Sequence, residues 1–271
     1  YQNDNPSRGS QNTLDSVYAK LTQEQKHDLK YAVGALEVAE GLEANLFTSE
    51  PMITNPTNID IDHKGRVWVL EAYNYRPAIT GNPTHAEGDR ILILEDTNGD
   101  GKADASKVFY QGPEVAAPLG ILVMGNRVLV SQSPYVWLFT DENGDDKADK
   151  KEIIFQGIKG EQHDHGMHAF TFGPDGKLYF NFGNEGNQLL DGKGQPVLDQ
   201  DGQTIDRKKY KQGMVFRCDP DFKNVEVLGH NFRNNYEVAV DSYGTMWQSD
   251  NDDDGNKGVR INYVMEYGNY G

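Results

Sequence analysis

The chain has 271 residues, 42 acidic against 26 basic, with a formal net charge of −16 and a pI near 4.8. That balance argues against nucleic acid as a partner, since such affinity comes largely from Lys and Arg neutralising phosphates. Cys218 is the single cysteine, which excludes an internal disulfide, a CxxCH haem attachment and a thiolate zinc site, and no apolar run approaches the roughly 18 residues of a membrane span.

Residues 1–35 read as a polar tail and a helical lead-in. The opening YQNDNPSRGSQN is polar throughout and reads as a mature start with any leader already removed. The acidity fits an exported protein or a binder of divalent cations, and equally a merely solvated surface. Leu14, Val17, Tyr18 and Leu21 have helical spacing, and Thr22-Gln23-Glu24-Gln25 has the form of a capping box,.

From Leu36 onward the period changes to two. Four strand–turn–strand units begin near Thr57, Pro118, His168 and Tyr236, and a second strand pair follows each, from Asp89, Ser133, Gln212 and Gly258. Four strands over roughly 45–68 residues, repeated, is the arithmetic of a β-propeller blade. The expected fold is therefore all-β, a β-propeller over 36–271 with blades near 57–112, 118–157, 163–229 and 236–271. Four blades of these strand lengths close poorly. The chain is thus expected to be part of a larger propeller, completed by self-association, a partner or further sequence. Trp68, Trp137, Trp247, Tyr179 and Phe180 fall on strands and are expected between blades.

The richest stretch is 163–187, HDHGMHAFTFGPDGKLYFNFGNEGN. Gly173-Pro174-Asp175-Gly176 is a turn between two strands. His163, Asp164, His165 and His168 therefore enter the pair where Gly183-Asn184-Glu185-Gly186 leaves it. On residues alone, three readings stay open: a catalytic histidine, a loop metal site for Zn, Cu or Fe, or a hydrogen-bonded rim histidine. Tyr73-Asn74-Tyr75-Arg76 is a candidate for the same rim.

Two acidic loops lie one blade apart. Asp96, Asn98, Asp100 and Asp104 recur as Asp141, Asn143, Asp145 and Asp149. Oxygens at positions 1, 3, 5 and 9 suit an EF-hand-type Ca²⁺ loop. Glu152 stands at position 12 of the second copy, and Lys107 at that position of the first. A plain Asn-Gly or Asp-Gly hairpin explains them equally. The run from Asp250 through Asp252 to Asp254 is a third acidic candidate for metal or ligand contact.

These motifs resemble the soluble quinoprotein glucose and sorbosone dehydrogenases. The likeness lies in His165, the strand 170–172, GPDGKLY, the Gly183–Gly186 turn, Arg233-Asn234 and Gly268-Asn269-Tyr270-Gly271. It is specific over 163–271 and looser from 36. HDHGMH with DTNGDGKAD is most similar to the bacterial branch labelled membrane-bound dehydrogenase, whose members often carry a C-terminal haem-c domain, so haem c is expected only in a part outside these residues.

The resemblance implies six blades, pyrroloquinoline quinone (PQQ) with Ca²⁺, and His165 as the general base. It implies Arg233, Asn234 and Asn184 as cofactor or substrate contacts, and Gly268–Gly271 as the turn at the cofactor's calcium. It further implies a sugar or small polyol substrate, an acceptor such as a c-type cytochrome, and a periplasmic or extracellular location. Asn184 stands where the glucose enzymes have an aspartate, leaving Asp164 or Glu185 to assist the histidine. A Ca²⁺-dependent lactonase propeller and a non-catalytic glycan- or protein-binding propeller are the alternatives.

Overall fold

The computed structural model describes residues 19–271 except 27, 34, 35, 37, 82, 158–162 and 252–257. Leu14, Val17, Tyr18, Asp252 and the His163 side chain therefore lie outside the described residues. The chain divides into two compact units, 1–54 with 95–106, and 55–94 with 107–271.

In the first unit, α1 is a single turn at Gln23–Lys26. Its capping box is present: the Gln25 N–H donates to Thr22 Oγ1 and the Thr22 N–H to Gln25 Oε1,. A 3₁₀ turn follows at Leu29–Tyr31, capped by Asp28. Nothing in either element is buried, so local capping rather than core packing holds them. Within the described residues the expected helical lead-in consists of these two short turns.

The second unit carries the blades. The first comprises β1 (Pro56–Ile61), β2 (Val67–Glu71), β3 (Arg90–Glu95) and β4 (Ala105–Gln111), in that order across the sheet. The second comprises β5 (Gly120–Met124), β6 (Arg127–Gln132), β7 (Tyr135–Thr140) and β8 (Lys150–Gln156), with β11 (Leu190–Asp191) added outside β8. The third comprises β9 (Met167–Phe172), β10 (Leu178–Phe182), β12 (Gly213–Cys218) and β13 (Glu226–Phe232). The fourth has β14 (Val238–Val240), β15 (Met246–Asp250) and β16 (Arg260–Val264). The chain then turns back. Gly268-Asn269, β17, adds in parallel to β13, with Gly268 opposite Gly229. The 268–271 segment thus belongs to the third sheet rather than closing the fourth.

Middle strands are apolar on both faces because a blade packs on each side. β10 is buried at all five positions. Its Phe180 stacks on Phe155 of the second blade at 5.6 Å and on Phe216 at 4.9 Å. Burying such a ring contributes about 2–3 kcal/mol. Trp68, Tyr179 and Phe180 are core, as expected. Trp247 is not: in β15 the residues alternate buried and exposed. Trp247 and its neighbour Tyr263 lie on the outward face, 46% and 49% exposed, because among the described residues no further sheet covers it.

One turn recurs between strands. Asp62, Asp191, Asp199 and Asp241 each accept, through Oδ1, the N–H groups two and four residues on. A glycine three residues on, such as Gly65 or Gly244, takes the left-handed φ that the turn requires,.

Candidate functional site

β9 and β10 pair antiparallel with Phe182 opposite Met167. The 3₁₀ turn His163–His165 that enters β9 therefore abuts the Gly183–Asn187 loop that leaves β10. Two backbone bonds fasten them: the Gly183 N–H donates to the Gly166 carbonyl at 2.7 Å and the Glu185 N–H to the His165 carbonyl at 3.1 Å. The His165 ring is nearly buried, 7% exposed. Its Nδ1 lies 2.6 Å from Asn184 Oδ1. An amide oxygen only accepts, so Nδ1 carries a proton, and in the neutral ring the lone pair lies on Nε2. Asn184 itself accepts the histidine's hydrogen bond, and Asp164, the acid expected to assist, acts on the ring through its charge rather than through a hydrogen bond.

The hydrogen bonds of Asp164 lie elsewhere. Its carboxylate accepts from Arg76 Nη2 at 2.6 Å and from the Tyr75 hydroxyl at 3.1 Å, which joins the 73–76 segment to the histidine turn. Burial pushes its pKa up, but its own N–H, Tyr75 and the Arg76 charge outweigh that and leave the carboxyl below its ordinary range,. His168 is fully buried. Its Nδ1 meets the Asn235 carbonyl at 2.7 Å, its Nε2 meets the Asp164 carbonyl at 2.8 Å, and its ring stacks on Tyr236. Burial lowers its pKa. Both nitrogens face backbone carbonyls in the buried interior, so neither is turned toward a shared metal position. The three-histidine metal reading fails at that residue.

The third and fourth blades complete the group. A Cβ on Gly183 would stand 2.3 Å from the His165 carbonyl oxygen and 2.4 Å from Asn234 Oδ1, so only glycine lets these segments meet. Asn234 Oδ1 is buried and has no hydrogen-bond partner among the described residues. Asp250, 3% exposed, brackets the Arg233-Asn234 turn. It accepts the N–H groups of Arg233 at 3.1 Å, Asn234 at 2.9 Å and Asn251 at 3.0 Å. Its salt bridge is with the Arg260 guanidinium, which also donates to the Tyr270 carbonyl at 2.9 Å. Gly271 packs against Asn231. His165, Asn184, Asn234, Asp250 and the 268–271 segment thus form one continuous series of contacts.

Two arginines of this series carried no sequence signal, Arg207 and Arg260, whereas Arg76 belongs to the 73–76 segment expected at this rim. Arg207, from the insertion between β10 and β12, donates to the carbonyls of Gly183, Glu185 and Gly186. Only its distance in sequence from any motif concealed it.

The acidic loops are arranged differently. Asp96 accepts the N–H groups of Gly99, Asp100 and Gly101, and Asp104 accepts the N–H and the hydroxyl of Thr97. Asn98 and Asp100 accept the N–H groups two residues on. Asp141 accepts from Asn143, Gly144 and Asp146, Asn143 from Asp145, and Asp149 from Glu142 and Asn143 Nδ2. Asp145 accepts the Lys147 N–H. Glu152 sits within β8, paired with Lys150 and opposite Leu138, away from position 12 of a cation shell. Lys107, at that position of the first loop, pairs with Asp146, as does Arg66. No group of three His, Cys, Asp or Glu side chains able to hold a metal forms among the described residues.

The model of a family described as "Domain of unknown function (DUF7133)" matches residues 28–269. The chain belongs to that family. No curated protein matches it in sequence. Among solved structures it resembles the iodide structure of a Trichoderma reesei carbohydrate-active enzyme of family AA12. Identity there is 18% over 86% of this chain and 58% of that one, with a TM-score of 0.58. The calcium structure of the T. reesei AA12 enzyme matches at 16% over 84% and 56%, TM-score 0.54. The PQQ-bound aldose sugar dehydrogenase of Streptomyces coelicolor matches at 18% over 81% and 62%, TM-score 0.56. The chain spans about three-fifths of the length of these structures, and at these identities the likeness shows the propeller fold alone. No described helix is long and apolar enough to cross a membrane.

Proposed function

We propose that this propeller is a PQQ-dependent sugar or polyol dehydrogenase in which His165 is the general base. One observation carries the reading: a nearly buried imidazole whose Nδ1–H is held by Asn184 Oδ1 at 2.6 Å, so that in its neutral form Nε2 is the nitrogen that takes a hydroxyl proton. The S. coelicolor enzyme of the same fold is a PQQ-bound aldose sugar dehydrogenase, which supports the substrate class.

The residues beside His165 fit one wall of a quinone site. Asn234 Oδ1 is buried and unpartnered against Gly183, an open polar position next to the base. Arg233, on the turn that Asp250 fixes, would supply a cation to the carboxylates of PQQ. When bound, PQQ supplies the hydride acceptor. The chain's own part is to orient the sugar, hold the Nδ1–H tautomer and receive the proton at Nε2.

The calcium of the T. reesei structure is not assigned to the acidic loops, whose ligand-position oxygens accept their own backbone N–H groups and whose Glu152 pairs with Lys150. Export to the periplasm or exterior, with a c-type cytochrome as electron acceptor, accords with this chemistry.

The test is dye reduction by aldoses with the full chain, PQQ and Ca²⁺. PQQ-dependent reduction that His165→Gln abolishes is the expected result. Lactone hydrolysis with metal and without PQQ, or glycan binding without turnover, would overturn it.

A further inference from the structure

The loop that presents Asn184 is secured on two sides. Its N–H groups face the histidine turn, with Gly183 donating to Gly166 and Glu185 to His165. Its carbonyls face Arg207. Nε donates to Gly186 at 2.6 Å, and Nη2 donates to Gly183 at 3.0 Å and to Glu185 at 3.1 Å. The Arg207 N–H also donates to the Asn187 carbonyl at 3.1 Å. The carbonyls on both sides of Asn184 therefore meet one planar fork.

The guanidinium lies over the Phe182 ring, 5.1 Å from its centroid, and Phe182 is the last residue of β10. The loop is thereby tied to the rigid end of a core strand. The loop has little rigidity of its own, with Gly183 too crowded for any side chain and Gly186 at φ +94°. Burial lowers the Arg207 pKa to about 10, and Glu185 offsets part of that effect, so the group remains a cation at neutral pH. No carboxylate is in salt-bridge contact with it among the described residues. Its charge rests on carbonyl dipoles and an aromatic face, an arrangement suited to a planar fork and poorly suited to a lysine.

We propose that Arg207 is a positioning residue for the His165 base. By holding the carbonyls of Gly183, Glu185 and Gly186 it keeps Asn184 Oδ1 on the Nδ1–H and so fixes the tautomer with Nε2 open. Its catalytic consequence rests on the dehydrogenase reading, whereas the tautomer itself does not.

The experiment is ¹⁵N NMR of the histidine ring nitrogens in the full chain, comparing the parent with Arg207→Met and Arg207→Lys, alongside thermal unfolding. In the parent, His165 shows a single Nδ1–H tautomer. In Arg207→Met the two neutral tautomers mix, and kcat in the dye assay falls roughly 10²-fold, the scale of a misplaced catalytic group, with KM changed less. Arg207→Lys keeps charge and bulk but loses the fork, and shows a smaller shift in the same direction. It also provides the reading if Arg207→Met does not fold. An unchanged His165 tautomer in a folded variant overturns the proposal. A tautomer shift in a protein that oxidises no sugar supports the positioning role and overturns the dehydrogenase reading.

Discussion

The His165 turn and the Asp141 loop are both acid-rich hairpin neighbourhoods, yet they use their polar atoms in opposite ways. In the Asp141 loop the side-chain oxygens fold onto the N–H groups of their own loop, and the remaining charge is met by Arg66 and Lys107. Every contact is local or neutralising. Around His165 the partners come from distant segments: Asn184 from the end of β10, Asn234 from beyond β13, Asp250 from β15 and Arg207 from the insertion. Two polar atoms there, His165 Nε2 and Asn234 Oδ1, have no hydrogen-bond partner among the described residues. A turn that satisfies itself needs no help from the fold. A site that keeps reactive atoms open has to be held by it.

The comparison is most directly broken by kinetics. His165→Gln is expected to lower turnover roughly 10³-fold, the range of general-base removal, with thermal stability little changed. Asp141→Asn is expected to leave turnover within about twofold and to lower the melting temperature instead. If the two variants exchange phenotypes, the assignment of roles is wrong. Asp250→Asn probes the frame of the site. Its carboxylate side chain is fully buried in an ion pair with Arg260, and removing one partner of such a pair costs about 3 kcal/mol. Urea unfolding should show that loss, together with a fall in activity. A loss below about 1 kcal/mol would mean that the Arg233-Asn234 turn stands without it.

Acid unfolding sharpens the contrast between self-sufficient turns and the site. Burial alone would raise Asp62, but the Trp68 indole, the Arg66 side chain and the Arg66 and Lys64 N–H groups outweigh it and hold its pKa at about 2. Asp199 is likewise raised by burial yet held at about 2 by Lys209, Tyr210 and two backbone N–H groups. Both carboxyls are depressed in the folded state. Their contribution is therefore complete above the unfolded value near 4 and is lost as pH falls toward 2, on the order of 2 kcal/mol each. Asp62→Asn and Asp199→Asn should each flatten the fall in stability between about pH 4 and 2. A parallel curve in the variants would refute the assignment.

The sequence made the blades legible because strand pairs recur around turn residues, and the first and fourth blades share one turn with its own chemistry. Asp62-His63-Lys64-Gly65 and Asp241-Ser242-Tyr243-Gly244 announce the same Asx-stabilised hairpin. His165, Asn184, Asn234 and Asp250 were visible because they lie inside or beside such motifs. Arg207 and Arg260 were not, since an arginine's role depends on which carbonyl or carboxylate three-dimensional packing brings to it. The Trp247 face was misjudged for a related reason. A tryptophan on a strand indicates burial, but which face is covered depends on the neighbouring sheet. The calcium reading of the acidic loops followed oxygen spacing alone. Spacing does not show whether those oxygens face a cation or their own N–H groups.

Calcium gives the smallest expected effect, and for that reason it is a discriminating one. A site that bound Ca²⁺ at a hundredfold excess over its dissociation constant would add about 2.7 kcal/mol, several degrees in melting temperature for a chain of this size. With Lys107 and Arg66 already on Asp146 and Glu152 directed to Lys150, millimolar Ca²⁺ without PQQ should move the melting temperature by less than about 1 °C relative to chelator. Differential scanning calorimetry measures this directly. A rise of several degrees that Asp145→Asn removes would show that the loop oxygens leave their backbone partners for a cation. It would also remove the distinction between this loop and the His165 site.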